Sequence, residues 1–308
     1  MPLRLPGTTL SSTLRHAWPG LERVVDQQAE PFIRLEVSLM NIIRINVAFL
    51  ALSLNSLLGQ QLNWEKLFDG LTNDNLTISD AARAETFGTV IPRLVTEDVG
   101  SLKLELKDLL PQFNRNEKIR LQASGFLYTV SFGRKDSALA LEEWFPILMK
   151  QLNDPHLRVR YNAALTISAL QPSIPVIFME PLRNATENED ARTAVAAVSG
   201  LGRLAATNEQ AATLLDSMVT TAPRPELKLA ALNTIYRQQL RQPRYATAAI
   251  AALDDSDSNV VKEAVRTLEL FAPSITKRVT PKIRELQLRT KDTELRDLAQ
   301  RLLQHMER

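Results

Sequence analysis

From residue 119 onward the apolar positions fall into a stencil that repeats. In its clearest copy Val159 is followed by Ala163, Ile167 and Leu170, offsets that put four side chains on one helical stripe. The stencil recurs as Ile119, Ala123, Leu127, Val130; as Thr193, Ala197, Leu201, Leu204; as Leu227, Ala231, Ile235; as Val260, Ala264, Leu268, Phe271; and as Leu295, Ala299, Leu303, Met306. Successive first positions, the anchors, lie 40, 34, 34, 33 and 35 residues apart, which is the periodicity of a solenoid of helical repeats. Two copies depart from it: Thr193 is polar in the anchor slot, and Gln238 occupies the slot that should close the copy at Leu227.

Ala163, Ala197, Ala231, Ala264 and Ala299 hold the second slot, where a small residue lets neighbouring helices approach closely. Turn and cap formers precede the anchors: Asn116, Asp154-Pro155, the stretches 188–190 and 254–258, and Asp292-Thr293. Their side chains suit the exposed N–H groups of a new helix, and Pro155 is expected in the first turn, where its missing N–H costs nothing. Between the copies lie further apolar helical stretches at 144–152, 175–182, 211–219, 245–253 and 275–288, and residues 61–76, with Trp64, Leu67, Phe68 and Leu71, predict a short capping helix. Each unit is therefore a helix, a turn and a second helix, and such a pair needs stacked neighbours to bury its apolar face.

The run WFPILMKQLNDPHLRVRYNAALTISAL at 144–170 combines a Leu/Pro-rich first helix, the Asp154-Pro155 turn, Val159-Arg160 and the pair Ala163-Ala164. It resembles a HEAT repeat, in the compact form of the HEAT-like family related to phycobilin lyases. The resemblance spans residues 77–308 and is strongest over 140–270. It implies an all-α fold: a right-handed α-α superhelix, a HEAT-like solenoid of stacked helical hairpins, with about six to seven repeats over 61–308. It also implies that the basic residues after the anchor (Arg120, Arg160, Lys228, Arg296) tie adjacent repeats to turn acids, and that the second helices line a concave face. The Trp, Leu-Gly and Tyr pattern of tetratricopeptide repeats and the Thr-Pro-Leu-His signature of ankyrin repeats are missing.

The N-terminal region reads differently. Residues 40–60 run MNIIRINVAFLALSLNSLLGQ: Met40, one positive charge at Arg44, an apolar core from Val47 to Leu58, then polar Gly59-Gln60-Gln61. This resembles a secretory signal peptide, and its apolar run is too short to span a bilayer comfortably. No Ala-x-Ala cleavage site follows. The expectation is a true start at Met40, with residues 1–39, which carry Pro2, Pro6, Pro19, Gly20 and Pro31, as a disordered or mis-assigned extension. A periplasmic or secreted location follows from that reading, and a cytoplasmic one from its alternative, in which 40–58 is a buried first helix.

Chemistry narrows the field further. With no cysteine, thiolate metal sites and disulfides are excluded. The three histidines, His16, His156 and His305, share no metal-ligand spacing, and no phosphate loop, dinucleotide fingerprint or nucleophile elbow occurs. Net charge is +2, without the dense basic surface that nucleic acid requires. No catalytic residue, cofactor or metal is expected. One off-stripe row stands out: Arg203, Arg237, Arg266 and Arg301, six or ten residues after their anchors, with Asn233 and His305 in equivalent slots. On the face that the family lines with second helices, such a row would grip carboxylates or phosphates. The expected function is a non-enzymatic scaffold binding a protein or peptide. The alternatives are a phycobilin-lyase-type or other enzyme-associated protein and, in second place, a nucleic-acid-binding HEAT-like protein.

Overall fold

The structure is a computed structural model that describes residues 62–307. The expected extension (1–39), the signal-like segment (40–60) and His16 lie outside the described residues. Residues 61–86 and 90–308 form one compact unit, and the remaining residues are assigned to another. Everything below concerns the first.

Among the described residues every regular element is helical. Ahead of the repeats come α1 (Trp64–Leu71), α2 (Leu76–Glu85), α3 (Ile91–Thr96) and α4 (Val99–Lys107). The repeat region then alternates. Second helices are α5 (Glu117–Gly133), α8 (Leu157–Ala169), α10 (Ala191–Ala205), α12 (Pro225–Arg237), α14 (Ser258–Leu268) and α16 (Thr293–Met306). First helices are the short α6 (Ser137–Ala140) with α7 (Phe145–Gln151), then α9 (Met179–Thr186), α11 (Glu209–Thr221), α13 (Pro243–Ala252) and α15 (Ala272–Arg289). Each second helix packs on the next, from α5 through to α16, and each from α8 onward packs on its own first helix. The expected capping helix is α1, whose Trp64, Leu67, Phe68 and Leu71 are all buried. Trp64 and Phe68 meet Phe126 of α5 edge-on, with ring centroids 5.5 Å apart in both pairs, and the Trp64 indole donates to the Glu105 carbonyl at 2.9 Å.

The core follows the stencil. Ala123, Ala163, Ala197, Ala231, Ala264 and Ala299 are fully buried, as are Val159 and Val260. Both departures have a local cause. Thr193 is buried in its anchor slot because its hydroxyl donates to Asp190 at 2.6 Å, the carboxylate that also caps α10 by accepting from the Thr193 N–H. At the other departure α12 stops at Arg237; Gln239 takes a left-handed φ of 54°, and the Leu240 N–H returns to the Ile235 carbonyl at 3.0 Å. The chain thus leaves the helix before Gln238 can need to be apolar, and buried Leu240 fills the place instead.

Turn chemistry is close to expectation, with one correction. Asn116, Asp190, Asp257 and Asp292 cap α5, α10, α14 and α16 through their side chains. Pro155, expected in the first turn of α8, lies two residues before that helix begins, and the cap is His156, whose Nδ1 accepts from the Arg158 N–H at 3.2 Å. Asp154 is engaged elsewhere: it accepts from the His156 N–H at 2.9 Å and pairs with the Arg120 guanidinium at 2.8 Å across the repeat boundary.

That pairing is the first of a series. Lys228 of α12 reaches Asp255 in the next turn at 2.6 Å, and Lys262 of α14 reaches Asp292 at 2.7 Å. Arg120 and Lys228 act as the resemblance implied. Arg160 and Arg296 do not: Arg160 donates to the Asp154 and Pro155 carbonyls of its own turn, and Arg296 to the Thr290 carbonyl. For Arg160 the reason is that the next turn offers Asn188 in the acid's place. The α10 copy has Ala194 where the base should be, and there the link runs backwards: Arg224, ahead of α12, donates to the Thr186 and Glu189 carbonyls of the preceding turn.

Burial works against ionisation of Asp255, yet the Lys228 ammonium and the Asp257 N–H together outweigh it and hold the carboxyl below its ordinary 3.8. A depressed folded-state pKa contributes stability that is present above the unfolded value and lost as pH falls through the folded one. Asp255→Asn is therefore expected to cost about 1 kcal/mol at pH 7. The difference from wild type should shrink once pH drops below about 4. Urea denaturation of both proteins at pH 7 and pH 3 checks this; an equal difference at both would show that the charge on Asp255 contributes nothing.

Candidate functional site: the outer face of the second-helix layer

On each second helix the anchor stripe points inward, and residues two, six and nine after the anchor lie on the opposite side, where all but the buried Gly202 reach solvent at least in part. Two after the anchor stand Leu121, Tyr161, Val195 and Leu229, then Lys262 and Asp297. Six after stand Gly125, Leu165, Ser199 and Asn233, then Arg266 and Arg301. Nine after stand Tyr128, Ser168, Gly202 and Tyr236, then Glu269 and Gln304. The face has two halves. Across α5, α8, α10 and α12 it is apolar, aromatic or small apart from Asn233, and across α14 and α16 it is charged apart from Gln304. Tyr161, Leu165, Val195 and Leu229 are half-buried, resting on the core while still reaching solvent.

The apolar half is kept level by close packing underneath. Asn162 of α8 donates to the Ser124 hydroxyl of α5 at 2.8 Å. Gly202 of α10 lies so near α12 that a Cβ there would meet the Thr234 methyl at 1.8 Å. Only glycine permits that approach, and it is what lets α10 and α12 share one continuous surface.

The charged half is a closed network. Lys262 pairs with Asp292 at 2.7 Å and with Glu294 at 3.0 Å. Arg266 pairs with Glu263 at 2.9 Å and with Glu294 at 3.4 Å. Burial pushes the Glu263 carboxyl above its ordinary range, opposed by the Arg266 and Arg237 guanidinium groups. Burial likewise raises Glu269, opposed by Arg301, His305 and Arg266. Each cation here is balanced by a carboxylate, so this end has no excess charge with which to seize an anion.

The four arginines singled out by the sequence thus fall in different surroundings. Arg203 leans onto α8 and donates to the Ser168 carbonyl at 2.6 Å, capping the end of that helix, and desolvation there pulls its guanidinium below the usual arginine range. Arg237 is exposed beside Glu263, Arg266 is in the ion-pair network, and exposed Arg301 faces Glu269. They sit on successive second helices but on the side of each that meets its neighbour. The apolar positions two and nine after the anchor were missed by a reading that followed only charge; aligning the copies at those offsets would have shown them. Among the described residues no group of three or more His, Cys, Asp or Glu is placed to hold a metal ion, and no helix is long and apolar enough to cross a membrane.

A family model supports the repeat assignment at one unit. The family model for the HEAT repeat matches residues 145–174, which take in α7, α8, the turn between them and the five residues that follow. No curated protein matches the chain. Among solved structures, an engineered protein superposes with a TM-score of 0.47 at 17% identity, covering 80% of this chain and 68% of the other. A designed armadillo repeat protein gives 0.39 at 17% identity, covering 78% and 98%. Computationally designed armadillo repeat proteins for modular peptide recognition give 0.40 at 16% identity, covering 78% and 98%.

Proposed function

We propose that this chain, a HEAT-repeat protein, is a non-enzymatic scaffold that binds a protein or peptide partner across the outer face of its second helices. The observation that carries the reading is the row of half-buried apolar side chains on four consecutive helices, Leu121, Tyr161, Val195 and Leu229. A row of this kind offers a partner apolar area to bury while the solenoid beneath stays folded. It relocates the binding surface from the four arginines to the helices between α5 and α12.

Selection of random dodecapeptides on the immobilised full chain tests it. Binders are expected, and Tyr161→Ala or Ser199→Lys should weaken them about tenfold or more, since each alters the centre of the face. Thermal melting of both variants should stay close to wild type, because neither position is fully buried. Binders indifferent to both substitutions would remove this face from consideration, and no binders at all would remove the peptide-scaffold reading.

Export is a separate proposal, supported by the signal-like pattern of residues 40–60. Cell fractionation with N-terminal sequencing decides it: a mature chain beginning near Gln60 supports it, and one beginning at residue 1 ends it.

A further inference from the structure

We propose that the α14–α16 end of the array is an acid-gated surface for a carboxylate-rich peptide: as Glu263 and Glu269 take up protons from solvent, Arg266 and Arg301 pass from those glutamates to the partner's carboxylates. This half of the face lies outside the apolar row on which the scaffold reading rests.

The balance that closes this end holds only while its carboxylates are ionised, and they are of two kinds. Glu263 is sunk beneath Arg266: its side chain is 9% exposed, and its Oε2 accepts from the guanidinium at 2.9 Å. Arg237 faces it from α12, and Glu269 from the turn that follows α14. Glu269 is half-buried and faces Arg266 together with Arg301 and His305 of α16. The other helices packed on this region direct charges elsewhere: α13 sends Arg244 to Glu209, and α15 sends Lys282 to Asp254 and Arg284 to Glu307. A buried carboxyl resists ionisation, so both glutamates accept protons above the ordinary 4.5. Asp292 does the opposite. The Lys262 ammonium and the Leu295 N–H hold it below 3.8, so it keeps its charge, and its hold on Lys262, while the glutamates lose theirs.

Proton uptake therefore acts selectively on the arginines. Arg266 loses its closer ion pair and keeps Glu294 at 3.4 Å, and Arg301 loses the carboxylate it faces. A neutral carboxyl returns a hydrogen bond only about half as strong as a charged one. Both guanidinium groups are placed against carboxylates at neutral pH, so the group that replaces a discharged glutamate is another carboxylate. The two arginines stand on neighbouring helices, about 8–10 Å apart at the axes, and an extended chain advances about 3.3 Å per residue. Acids about three residues apart in the partner reach both. The fold survives the step. A raised folded-state pKa contributes stability that is fully present below the unfolded value and lost as pH rises through the folded one, so acid strengthens the fold at these two positions.

Fluorescence anisotropy tests this with the full chain and a rhodamine-labelled dodecapeptide carrying aspartate at every third position and serine between. Peptide aspartate, with an ordinary pKa of about 3.9, is ionised at both pH 7.5 and pH 5.0. Binding should be about tenfold tighter at pH 5.0 and should weaken as salt is raised. Glu263→Gln with Glu269→Gln fixes both groups in the neutral form, and this variant should bind at pH 7.5 as tightly as wild type does at pH 5.0. Arg301→Gln, at an exposed position, should lose most of the acid gain, which decides the question should the glutamine variant fail to fold by circular dichroism. Equal wild-type affinity at the two pH values overturns the proposal. So does an acid gain that survives both Arg266→Gln and Arg301→Gln, or a folded glutamine variant that binds no better than wild type at pH 7.5. A dT12 oligonucleotide that gains more than the peptide on acidification overturns the choice of a peptide partner.

Discussion

Replacing Arg134 by alanine should lower the stability of the protein by about 3–5 kcal/mol, the scale on which buried charge networks fail when one member is removed. Arg134 follows the last turn of α5 and is almost completely buried. One terminal nitrogen donates to the carbonyls of Leu94, Val95 and Glu97 at 2.9, 3.3 and 2.6 Å. The remaining nitrogens meet Asp136 at 2.8 and 3.0 Å. Two of those carbonyls belong to the last turn of α3 and have no partner within their own helix. The positive charge also sits where a helix C-terminus favours it. Alanine leaves three acceptors without a donor at a seam between helices, while Asp136, half-exposed, can turn to water. Arg134→Lys should recover only part of the loss, since an ammonium cannot span both the carbonyls and the carboxylate. Urea denaturation with limited proteolysis around residue 97 measures both variants; a loss below about 1 kcal/mol for the alanine variant would show that water replaces the guanidinium without penalty.

The second large effect is expected at Gly202. Alanine favours a helix over glycine by about 1 kcal/mol, so on local grounds Gly202→Ala should stabilise α10. The structure predicts the reverse. The new methyl would stand 1.8 Å from the Thr234 methyl and 3.1 Å from its Cβ, and α10 and α12 must separate or Thr234 must leave its rotamer. Overpacking of this kind costs about 1–3 kcal/mol. The second change that tests the cause is Thr234→Ser, which deletes the offending methyl. Gly202→Ala with Thr234→Ser should recover most of the lost stability, a coupling that a double-mutant cycle reads directly. If the two substitutions simply add, contact between α10 and α12 is not what the glycine protects.

The two residues also mark how far the sequence could be read. The buried alanines, the paired helices and most caps were legible because they obey a period, and a period survives in one dimension. Thr193 and Gln238 looked like faults, yet each is resolved by a neighbour two or three positions away: Asp190 takes the hydroxyl of one, and Leu240 replaces the other in the core. Pro155 was misplaced by two residues because a proline before a helix and one inside its first turn look alike in sequence; the partner that decided the matter, Arg120, lies 34 residues from Asp154. Arg134 and Arg224 were invisible for the same reason. Their distant partners are backbone carbonyls, which carry no residue identity to recognise. The four arginines were legible as a row but not as a site, since what each one touches depends on the helix beside it.

The links between repeats carry one more consequence. Arg120 and Asp154, or Lys228 and Asp255, are halves of a clasp divided between consecutive units, and the unit that lacks its half at Ala194 is held instead by Arg224 reaching back. The units are thus not interchangeable beads. Cutting out one hairpin and splicing its neighbours would preserve the periodic core yet leave a base facing a base or a carbonyl facing nothing at the new joint. This array cannot be lengthened or shortened by simple duplication without rewriting its turns, so its number of repeats is itself encoded in the order of its clasps.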